Sequence, residues 1–421
     1  MQKHFTIWIA LLLIVVGQCP FGAVVSRTQS AKTGQVALTY RFTSGSSTRG
    51  IPFEFNLNKP YPRARINDAG PYWFLLDNGA SFNVVDAARA KELGIALSGG
   101  SEERGAGEGT ITSTVGAGVS LRLPGLELLK QDVTVIPLSS AISPSEGRMV
   151  DGLLGYDFFK QFVVEIDYAR QRINIYDPQI YNFAGQGQSI PLVIDREHAF
   201  ISTTLVLPRG RRIPGKFMID TGWRSALTLN APFVEAQKLI AILPKSVEAV
   251  TGWGVGGPTI DTVGRVESLQ LGRYTLKNFV ANFSKAKGGV LAESGFTGII
   301  GGEILRRFKV IFDYPHHRMI LEPNAHFADP FGFDMSGLFI RAEGQDFKTF
   351  KVYGVIKNSP GFKSGLREGD VIEAINERPG AEFTLEQVRQ VFRRGVGKEY
   401  LLSVRRGEQR LKLKMKLRRL I

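Results

Sequence analysis

The sequence predicts a mainly β protein built from two similar lobes and followed by a smaller α+β domain. Three observations support this prediction: one pattern occurs twice in the chain, glycine is abundant, and long helical patterns are few. The 421 residues include 47 glycines, with 43% hydrophobic and 22% charged residues, a globular composition rich in turns. A chain of this length exceeds one ordinary hydrophobic core, so two or three domains are expected.

An internal repeat defines the two lobes. One segment recurs at a constant offset of 146 residues: Gly152-Leu-Leu-Gly155 through Asp167-Tyr168, and Gly298-Ile-Ile-Gly301 through Asp313-Tyr314. About 75 residues before each copy, an apolar run enters an Asp-x-Gly turn, as Phe74-Leu-Leu-Asp77-Asn78-Gly79 and as Phe217-Met-Ile-Asp220-Thr221-Gly222. Both ends of the unit therefore repeat in the same order. The predicted organisation is a signal segment over 1–24, a linker or strand over 25–50, lobes over 51–182 and 183–328, and a final domain over 332–421.

The sequence pattern predicts the same order of strands and helices in both units. Alternating strands lead into the Asp-x-Gly turn, at Ile51–Leu57 and Tyr72–Leu76 in the first unit and at Ala199–Leu207 and Gly215–Ile219 in the second. A short helix follows, with Asp86 as its cap in the first unit and Asn230 in the second. Glycine-rich hairpins come next, over Gly105–Val115 and Val250–Val263, and further strands follow.

The two Asp-x-Gly turns carry the chemistry. A glycine after the aspartate allows the backbone to turn sharply and brings amide donors close to the carboxylate oxygens. Two such turns, each followed by an apolar-apolar-Gly strand, resemble the catalytic loops of pepsin-like and retropepsin-like aspartic peptidases. The closest resemblance is to bacterial retropepsin-like peptidases with a trailing PDZ domain. It covers about two thirds of the chain and implies a β-barrel pseudo-dimer.

The resemblance assigns roles to individual residues. Asp77 and Asp220 match the catalytic pair, in which one carboxylate acts as base towards water and its protonated partner donates to the scissile carbonyl. Such chemistry requires no metal, cofactor or covalent intermediate. The remaining assignments are the turn glycines and loop-bridging residues, Gly79, Gly222, Asn78 and Thr221, and the flap residues of the two hairpins, Gly107, Trp253 and Gly254.

Two departures from the family pattern leave two functions open. Asn78 stands where the family has Thr or Ser, and Trp223 stands where Ala or Ser is usual, beside the predicted pair. A working site predicts an aspartic-type endopeptidase. The alternative is a catalytically inactive peptidase scaffold that binds peptides or proteins.

The C-terminal part resembles a bacterial PDZ domain. Its motifs are Ser336-Gly-Leu-Phe-Ile340, Val352–Ile356, Ser359–Leu366, Arg367–Asn376 and a capped helix over Thr384–Phe392. The resemblance implies an extended peptide added as a strand, with Gly337, Leu338, Phe339 and Ile340 as binding residues. The opening loop lacks the internal glycine that the family usually has.

The N-terminus predicts export. Lys3 and His4 precede the apolar run Phe5–Val16, and Gly22-Ala23 follows, the order of a secretory signal. A periplasmic or extracellular location is expected, with an uncleaved membrane anchor as the alternative. Cys19, the one cysteine of the chain, lies in this segment, so no disulfide is expected in the folded part.

Charge and motifs limit the partners. The formal net charge is +14, but no nucleic-acid-binding motif accompanies it. Gly252–Gly257 has the glycine spacing of a dinucleotide-binding loop, yet Pro258 and Thr259 follow it with no helical pattern. The expected partners are peptide or protein substrates and a peptide ligand of the PDZ-like domain, with no nucleic acid. Because both aspartates lie in one chain, a monomer is expected.

Overall fold

The computed structural model describes residues 39–421, which form one compact unit. The predicted signal segment, Cys19 and the first part of the predicted linker lie outside these residues. Within them, no helix is both long and apolar enough to cross a membrane. The protein is mainly β, with two lobes followed by a smaller α+β domain, as the sequence predicts.

The first lobe contains eleven strands and four short helices. Its strands are β1 (Tyr40–Phe42), β2 (Ser47–Asn56), β3 (Lys59–Ile66), β4 (Ala69–Leu76), β5 (Val84–Asp86), β6 (Leu97–Arg104), β7 (Thr110–Leu123), β8 (Leu126–Ile136), β9 (Gly152–Leu154), β10 (Val163–Asp167) and β11 (Arg172–Tyr176). Its helices are α1 (Ala87–Glu92), α2 (Leu138–Ala141), α3 (Ser143–Glu146) and α4 (Tyr156–Phe159). Asp86 caps α1 by accepting from Ala88 N–H at 3.1 Å and Arg89 N–H at 3.3 Å.

The second lobe repeats this order. Its strands are β12 (Gln188–Pro191), β13 (Val193–Asp195), β14 (His198–Leu207), β15 (Arg211–Ile219), β16 (Leu227–Leu229), β17 (Ser246–Gly254), β18 (Gly257–Leu271), β19 (Tyr274–Ser284), β20 (Gly298–Ile300), β21 (Phe308–Asp313) and β22 (Arg318–Pro323). Its helices are α5 (Ala231–Ala236) and α6 (Gly302–Leu305). Asn230 is the N-cap residue of α5, as predicted, but its side chain makes no hydrogen bond to the helix and donates instead to the carbonyls of Glu293 at 2.8 Å and Phe296 at 2.5 Å.

The same pairing scheme positions the Asp-x-Gly turn in each lobe. The strand that enters the turn, β4 or β15, pairs in parallel with the apolar-apolar-Gly strand, β9 or β20. That strand pairs on its other side with β5 or β16, antiparallel. The entering strand also pairs on its other side, β4 with β3 and β15 with β14, so each aspartate leaves the sheet at the end of an interior strand.

A central sheet joins the lobes. The strand order β12-β22-β21-β10-β11-β2 runs from the second lobe into the first. In the antiparallel pair β10–β21, Glu165 lies opposite Ile311, its own equivalent in the repeat. A pseudo-twofold axis therefore passes through this pair. One continuous hydrophobic core extends through both lobes.

The C-terminal domain has a core of its own. Its strands are β23 (Leu338–Glu343), β24 (Thr349–Val355), β25 (Val371–Ile375), β26 (Arg378–Pro379), β27 (Glu399–Arg406) and β28 (Gln409–Lys416), and its helices are α7 (Pro360–Lys363) and α8 (Leu385–Arg393). Thr384 and Gln387 form a reciprocal capping box at the start of α8. Strand β23 lies at the edge of the sheet.

Candidate active site

The two Asp-x-Gly turns occupy equivalent positions about the pseudo-twofold axis. The backbone N–H of Asp77 donates to Leu154 O at 2.9 Å, and that of Asp220 donates to Ile300 O at 3.0 Å. Both acceptors belong to the apolar-apolar-Gly strands that the repeat shows. These strands therefore fix the point at which each aspartate leaves its sheet.

Each carboxylate lies against the glycine of the opposite turn. Within its own turn, Asp77 Oδ1 accepts from Gly79 N–H at 3.1 Å, and Asp220 Oδ1 accepts from Gly222 N–H at 2.7 Å. A Cβ atom added to Gly79 would overlap the Asp220 carboxyl group, and one added to Gly222 would overlap that of Asp77. The structure thus brings both sequence-predicted aspartates together, and only glycine leaves room for this approach.

A methyl group at Gly222 is therefore expected to disrupt the pair. In Gly222→Ala the Asp77 carboxyl group must move, and displacing a reacting group by about 1 Å typically costs on the order of 10²-fold in rate. We expect kcat/KM for peptide hydrolysis to fall by about that factor. Gly332→Ala is the matched control, because no heavy atom lies within 4 Å of its added Cβ. Unchanged kcat/KM in Gly222→Ala would contradict the close approach.

Asn78 and Thr221 lock the two turns together. Thr221 N–H donates to Asn78 Oδ1 at 2.7 Å, and Asn78 N–H donates to Thr221 Oγ1 at 3.2 Å. Thr221 Oγ1 donates to Leu76 O at 2.7 Å, and Asn78 Nδ2 donates to the equivalent carbonyl, Ile219 O, at 2.9 Å. The Asn78 amide thus accepts through its oxygen and donates through its nitrogen, whereas the Thr221 hydroxyl accepts and donates through the same oxygen.

The second N–H of the Asn78 amide has a partner of its own. Asn78 Nδ2 also donates to the buried Tyr314 hydroxyl at 2.8 Å. The equivalent tyrosine of the first lobe is Tyr168, whose buried hydroxyl has no hydrogen-bond partner within residues 39–421. The Thr221 hydroxyl has a single proton, which it already donates to Leu76 O. Asn78 therefore provides a hydrogen bond to Tyr314 that the Thr or Ser of the family pattern would lack.

Burial and the closeness of the two carboxylates shift their pKa values. Burial raises the pKa of Asp220 well above its usual range, and the neighbouring Asp77 raises it further. Burial also raises the pKa of Asp77, while the positive charge of Lys59 and the N–H of Gly79 oppose that rise. Two carboxylates this close do not both ionise readily, so the pair titrates as a unit that retains one proton.

A buried charge cluster lies beside the pair. Lys59 is 8% exposed, and its Nζ donates to Glu146 Oε1 at 2.8 Å. The Tyr61 hydroxyl donates to Glu146 Oε2 at 2.6 Å. Lys59 is absent from the sequence-predicted site. The sequence indicates this residue only as a lysine at the start of β3, a strand whose other buried side chains are apolar.

The cleft is open around the carboxylates. A cavity of about 320 Å³ is lined by residues of both lobes, with Asp77 and Asp220 in its wall. Trp223 forms part of the same wall, where its indole N–H donates to Thr228 Oγ1 at 2.9 Å and its ring packs beside Phe200, Met218 and Ile299. This large side chain therefore lines the cleft without filling it.

The glycine-rich hairpins meet over the cleft. The first is β6–β7 and the second is β17–β18. Gly107 N–H donates to Val255 O at 2.8 Å, and Gly109 N–H donates to Gly256 O at 2.9 Å. Gly254 lies against Ala106. The tips are thus joined by backbone hydrogen bonds, an arrangement suited to flaps that open and close.

Trp253 connects the second hairpin to the C-terminal domain. Its ring packs edge-on against Tyr353 at 5.5 Å between centroids, and the Arg341 guanidinium lies 4.0 Å from its centre. Trp253 also lines the cleft cavity. The residue predicted for the flap therefore contacts both the cleft and the neighbouring domain.

The predicted peptide-binding residues Gly337, Leu338, Phe339 and Ile340 line a second cavity of about 270 Å³. Its opposite wall includes residues of α8, as expected for a groove between strand and helix. Helix α3 of the first lobe packs against β23. A Cβ added to Gly147, just after α3, would lie 2.5 Å from Leu385 Cβ. The groove therefore faces the two lobes.

Within the described part of the chain, no three His, Cys, Asp or Glu side chains are grouped as metal ligands. Comparison with known families identifies two regions. Residues 63–158 match the family described as aspartyl protease, and residues 336–404 match the PDZ domain. The first match contains Asp77 with its turn, whereas Asp220 lies beyond it and is placed by the internal repeat. No curated protein matches the chain.

Proposed function

Because the chain carries an aspartyl protease domain and a PDZ domain, we propose that it is an aspartic-type endopeptidase whose PDZ domain binds peptide ends. One observation carries this proposal: each carboxylate of the pair lies against the turn glycine of the other lobe, inside an open cleft. A scaffold that only bound peptides would have no need for two buried carboxylates at such close range, because like charges there destabilise the fold.

We assign the shared proton to Asp220, because burial and the neighbouring Asp77 raise its pKa well above its usual range. Asp77 is the base that accepts a proton from water, and Asp220 donates its proton to the scissile carbonyl oxygen. The water oxygen bonds to the carbonyl carbon, the C–N bond then breaks, and the leaving amine takes the proton that Asp77 accepted from water. The proton that Asp220 gave to the carbonyl oxygen returns to Asp220 as the carboxyl group forms. The products are a new carboxyl group and a new amine.

The two departures that favoured an inactive scaffold are compatible with activity. Asn78 bridges the turns through both ends of its amide, and Trp223 lines the cleft without filling it. We propose further that the substrates are peptides or proteins outside the cytoplasm, since the N-terminal residues have the order of a secretory signal. A monomer is sufficient, because one chain supplies both aspartates.

Incubation of the purified chain with a peptide library from acid to neutral pH tests the proposal. Hydrolysis requires one shared proton, so a bell-shaped dependence of kcat/KM on pH is expected. Activity falls when acid protonates both carboxylates, and it falls again as the pH rises through the raised pKa of Asp220. Product formation that is absent at every pH would favour the binding scaffold instead.

A further inference from the structure

The wall of the cleft follows the pseudo-twofold axis. Several of its residues form pairs that are equivalent in the repeat, and both members of each pair line the cavity. These pairs are Gly79 with Gly222, Leu75 with Met218, Leu153 with Ile299, and Ala80 with Trp223. A scissile bond held at the carboxylate pair therefore has one lobe beside the residue that precedes it and the other lobe beside the residue that follows it.

Ala80 and Trp223 hold the same place in their lobes. The backbone N–H of each donates to the carbonyl of the aspartate in its own turn, at 3.1 and 3.4 Å. The carbonyl of Ala80 accepts from Tyr156 N–H at 2.8 Å. The carbonyl of Trp223 accepts from Gly302 N–H, the equivalent donor, at 2.6 Å. The two positions thus share one backbone arrangement and differ in the side chain.

Each lobe has a small apolar cluster beside the carboxylates. Ala80 packs against the cluster of the first lobe, which contains Leu75 and Leu153. Trp223 packs against the equivalent cluster of the second lobe. A methyl group covers little of its cluster, so apolar surface remains available to a ligand in the first lobe. An indole ring, which has about 150–250 Å² of surface to bury, covers the corresponding surface of the second lobe itself.

A hydrogen bond holds the indole of Trp223 in place. Its N–H donates to Oγ1 of the buried Thr228 at 2.9 Å, and Asn282 Nδ2 donates to the same oxygen at 3.2 Å. The residue equivalent to Thr228 in the first lobe is Val85, whose side chain forms no hydrogen bond. The indole is therefore a fixed part of the second-lobe wall.

The first lobe adds further apolar surface to the cavity. Its additional apolar side chains are Val84, Ile136, Leu138 and Ile142. Outside its flap hairpin, the second lobe adds Val290. Lys59 and Glu146 also line the first-lobe side, where each compensates the charge of the other through their hydrogen bond. A large apolar side chain therefore has more apolar contacts in the first lobe than in the second.

We propose that the cleft selects substrates by the size of the two residues that flank the scissile bond. A large apolar side chain lies in the first lobe beside Ala80, and a small residue, glycine, alanine or serine, lies in the second lobe beside Trp223. This inference rests on the proposed function and names its substrate class. Because the bound peptide runs in one direction across the cleft, the large and the small residue occur in the same order at every cleaved bond.

Four peptides that differ only in their two central residues test the inference. The central pairs are phenylalanine–alanine, alanine–phenylalanine, phenylalanine–phenylalanine and alanine–alanine. One of the two mixed peptides is expected to be cleaved between the central residues, with kcat/KM at least tenfold above that of the peptide with two phenylalanines, the range in which apolar pockets discriminate by size. Trp223→Ala should remove most of that difference by raising kcat/KM for the peptide with two phenylalanines. Ile180→Ala, which alters an exposed residue outside the cavity, is the control.

Two further variants separate the size of the side chain from the stability of the turn. Trp223→Phe keeps a ring in the wall and loses only the hydrogen bond to Thr228, so it should retain most of the preference. Ala80→Trp places an indole at the equivalent position of the first lobe and should lower kcat/KM for the preferred mixed peptide at least tenfold. Thermal unfolding of each variant verifies that the lobes remain folded.

Binding provides a measurement that is independent of turnover. Analogues of the four peptides, with a reduced CH2–NH group in place of the central amide and a fluorescent label at the amino terminus, are followed by fluorescence anisotropy. Tighter binding of one mixed analogue that is lost in Trp223→Ala, together with no hydrolysis of any peptide, would support the size selection and overturn the proposed function. Equal cleavage of the mixed and the two-phenylalanine peptides, or an unchanged preference in Trp223→Ala, would overturn the inference and leave the proposed function intact.

Discussion

Replacing Asp220 by Asn is expected to abolish peptide hydrolysis without loss of the fold. The amide cannot donate the shared proton as an acid does, and positioned acid–base groups contribute about 10²- to 10⁴-fold to rate. We expect kcat/KM to fall by at least that factor, and Asp77→Asn to have an equally large effect. Asp132→Asn serves as the control, since Asp132 is an exposed aspartate of the first lobe.

The thermal stability of Asp220→Asn provides a second test. The folded protein raises the pKa of Asp220, so the stability that this group contributes is present at low pH and is lost as the pH rises through the raised pKa. The melting temperature of Asp220→Asn, relative to the unaltered protein, should therefore increase from acid to neutral pH. Hydrolysis that survives in both aspartate variants would point to a contaminating peptidase.

Asn78→Ala is expected to destabilise the protein by about 3 kcal/mol or more, because buried donors and acceptors lose their partners at three places. The affected groups are Thr221 N–H, Ile219 O and the Tyr314 hydroxyl. Denaturation by urea, with the slope m unchanged, measures the loss. Hydrolysis should fall as well, since the bridge between the turns holds the two carboxylates in place.

The tyrosine partner makes this prediction specific. Asn78→Thr supplies one donor and one acceptor, which serve Ile219 O and Thr221 N–H but leave the Tyr314 hydroxyl without its amide. We expect an intermediate loss of about 1–2 kcal/mol. Tyr314→Phe combined with Asn78→Thr should recover part of that loss, and a double-mutant cycle measures the coupling. Strictly additive effects would show that Tyr314 does not support Asn78.

The repeat made the lobes and the Asp-x-Gly turns predictable. Two copies of an Asp-x-Gly turn and two copies of an apolar-apolar-Gly strand define a pseudo-twofold arrangement, because equivalent segments occupy equivalent places. The tyrosines Tyr168 and Tyr314 are part of the same repeated segment. Their hydroxyls had no assignable role, however, because the sequence does not show which side chain faces them.

Other parts of the site depend on contacts between segments far apart in the chain. The positive charge of Lys59 opposes the rise in the pKa of Asp77, and a hydrogen bond to Glu146 holds this lysine in place; neither Lys59 nor Glu146 belongs to a repeated motif. Arg224 lies two residues after the second Asp-x-Gly turn, but its contact with the Phe339 ring depends on how the PDZ domain packs on the lobes. Sequence periodicity describes one element at a time, so it does not predict such packing.

The strand pair β10–β21, in which Glu165 faces Ile311, joins the two halves that supply the carboxylate pair within one chain. Where each carboxylate comes from a separate chain, the fraction of complete sites depends on protein concentration by mass action. Here the effective concentration of one carboxylate at the other is set by the connectivity of a single chain. Dilution therefore does not separate the pair. The two halves can also differ in sequence. Asn78 of the first lobe faces Thr221 of the second, and a dimer of two identical chains would have the same residue at both positions.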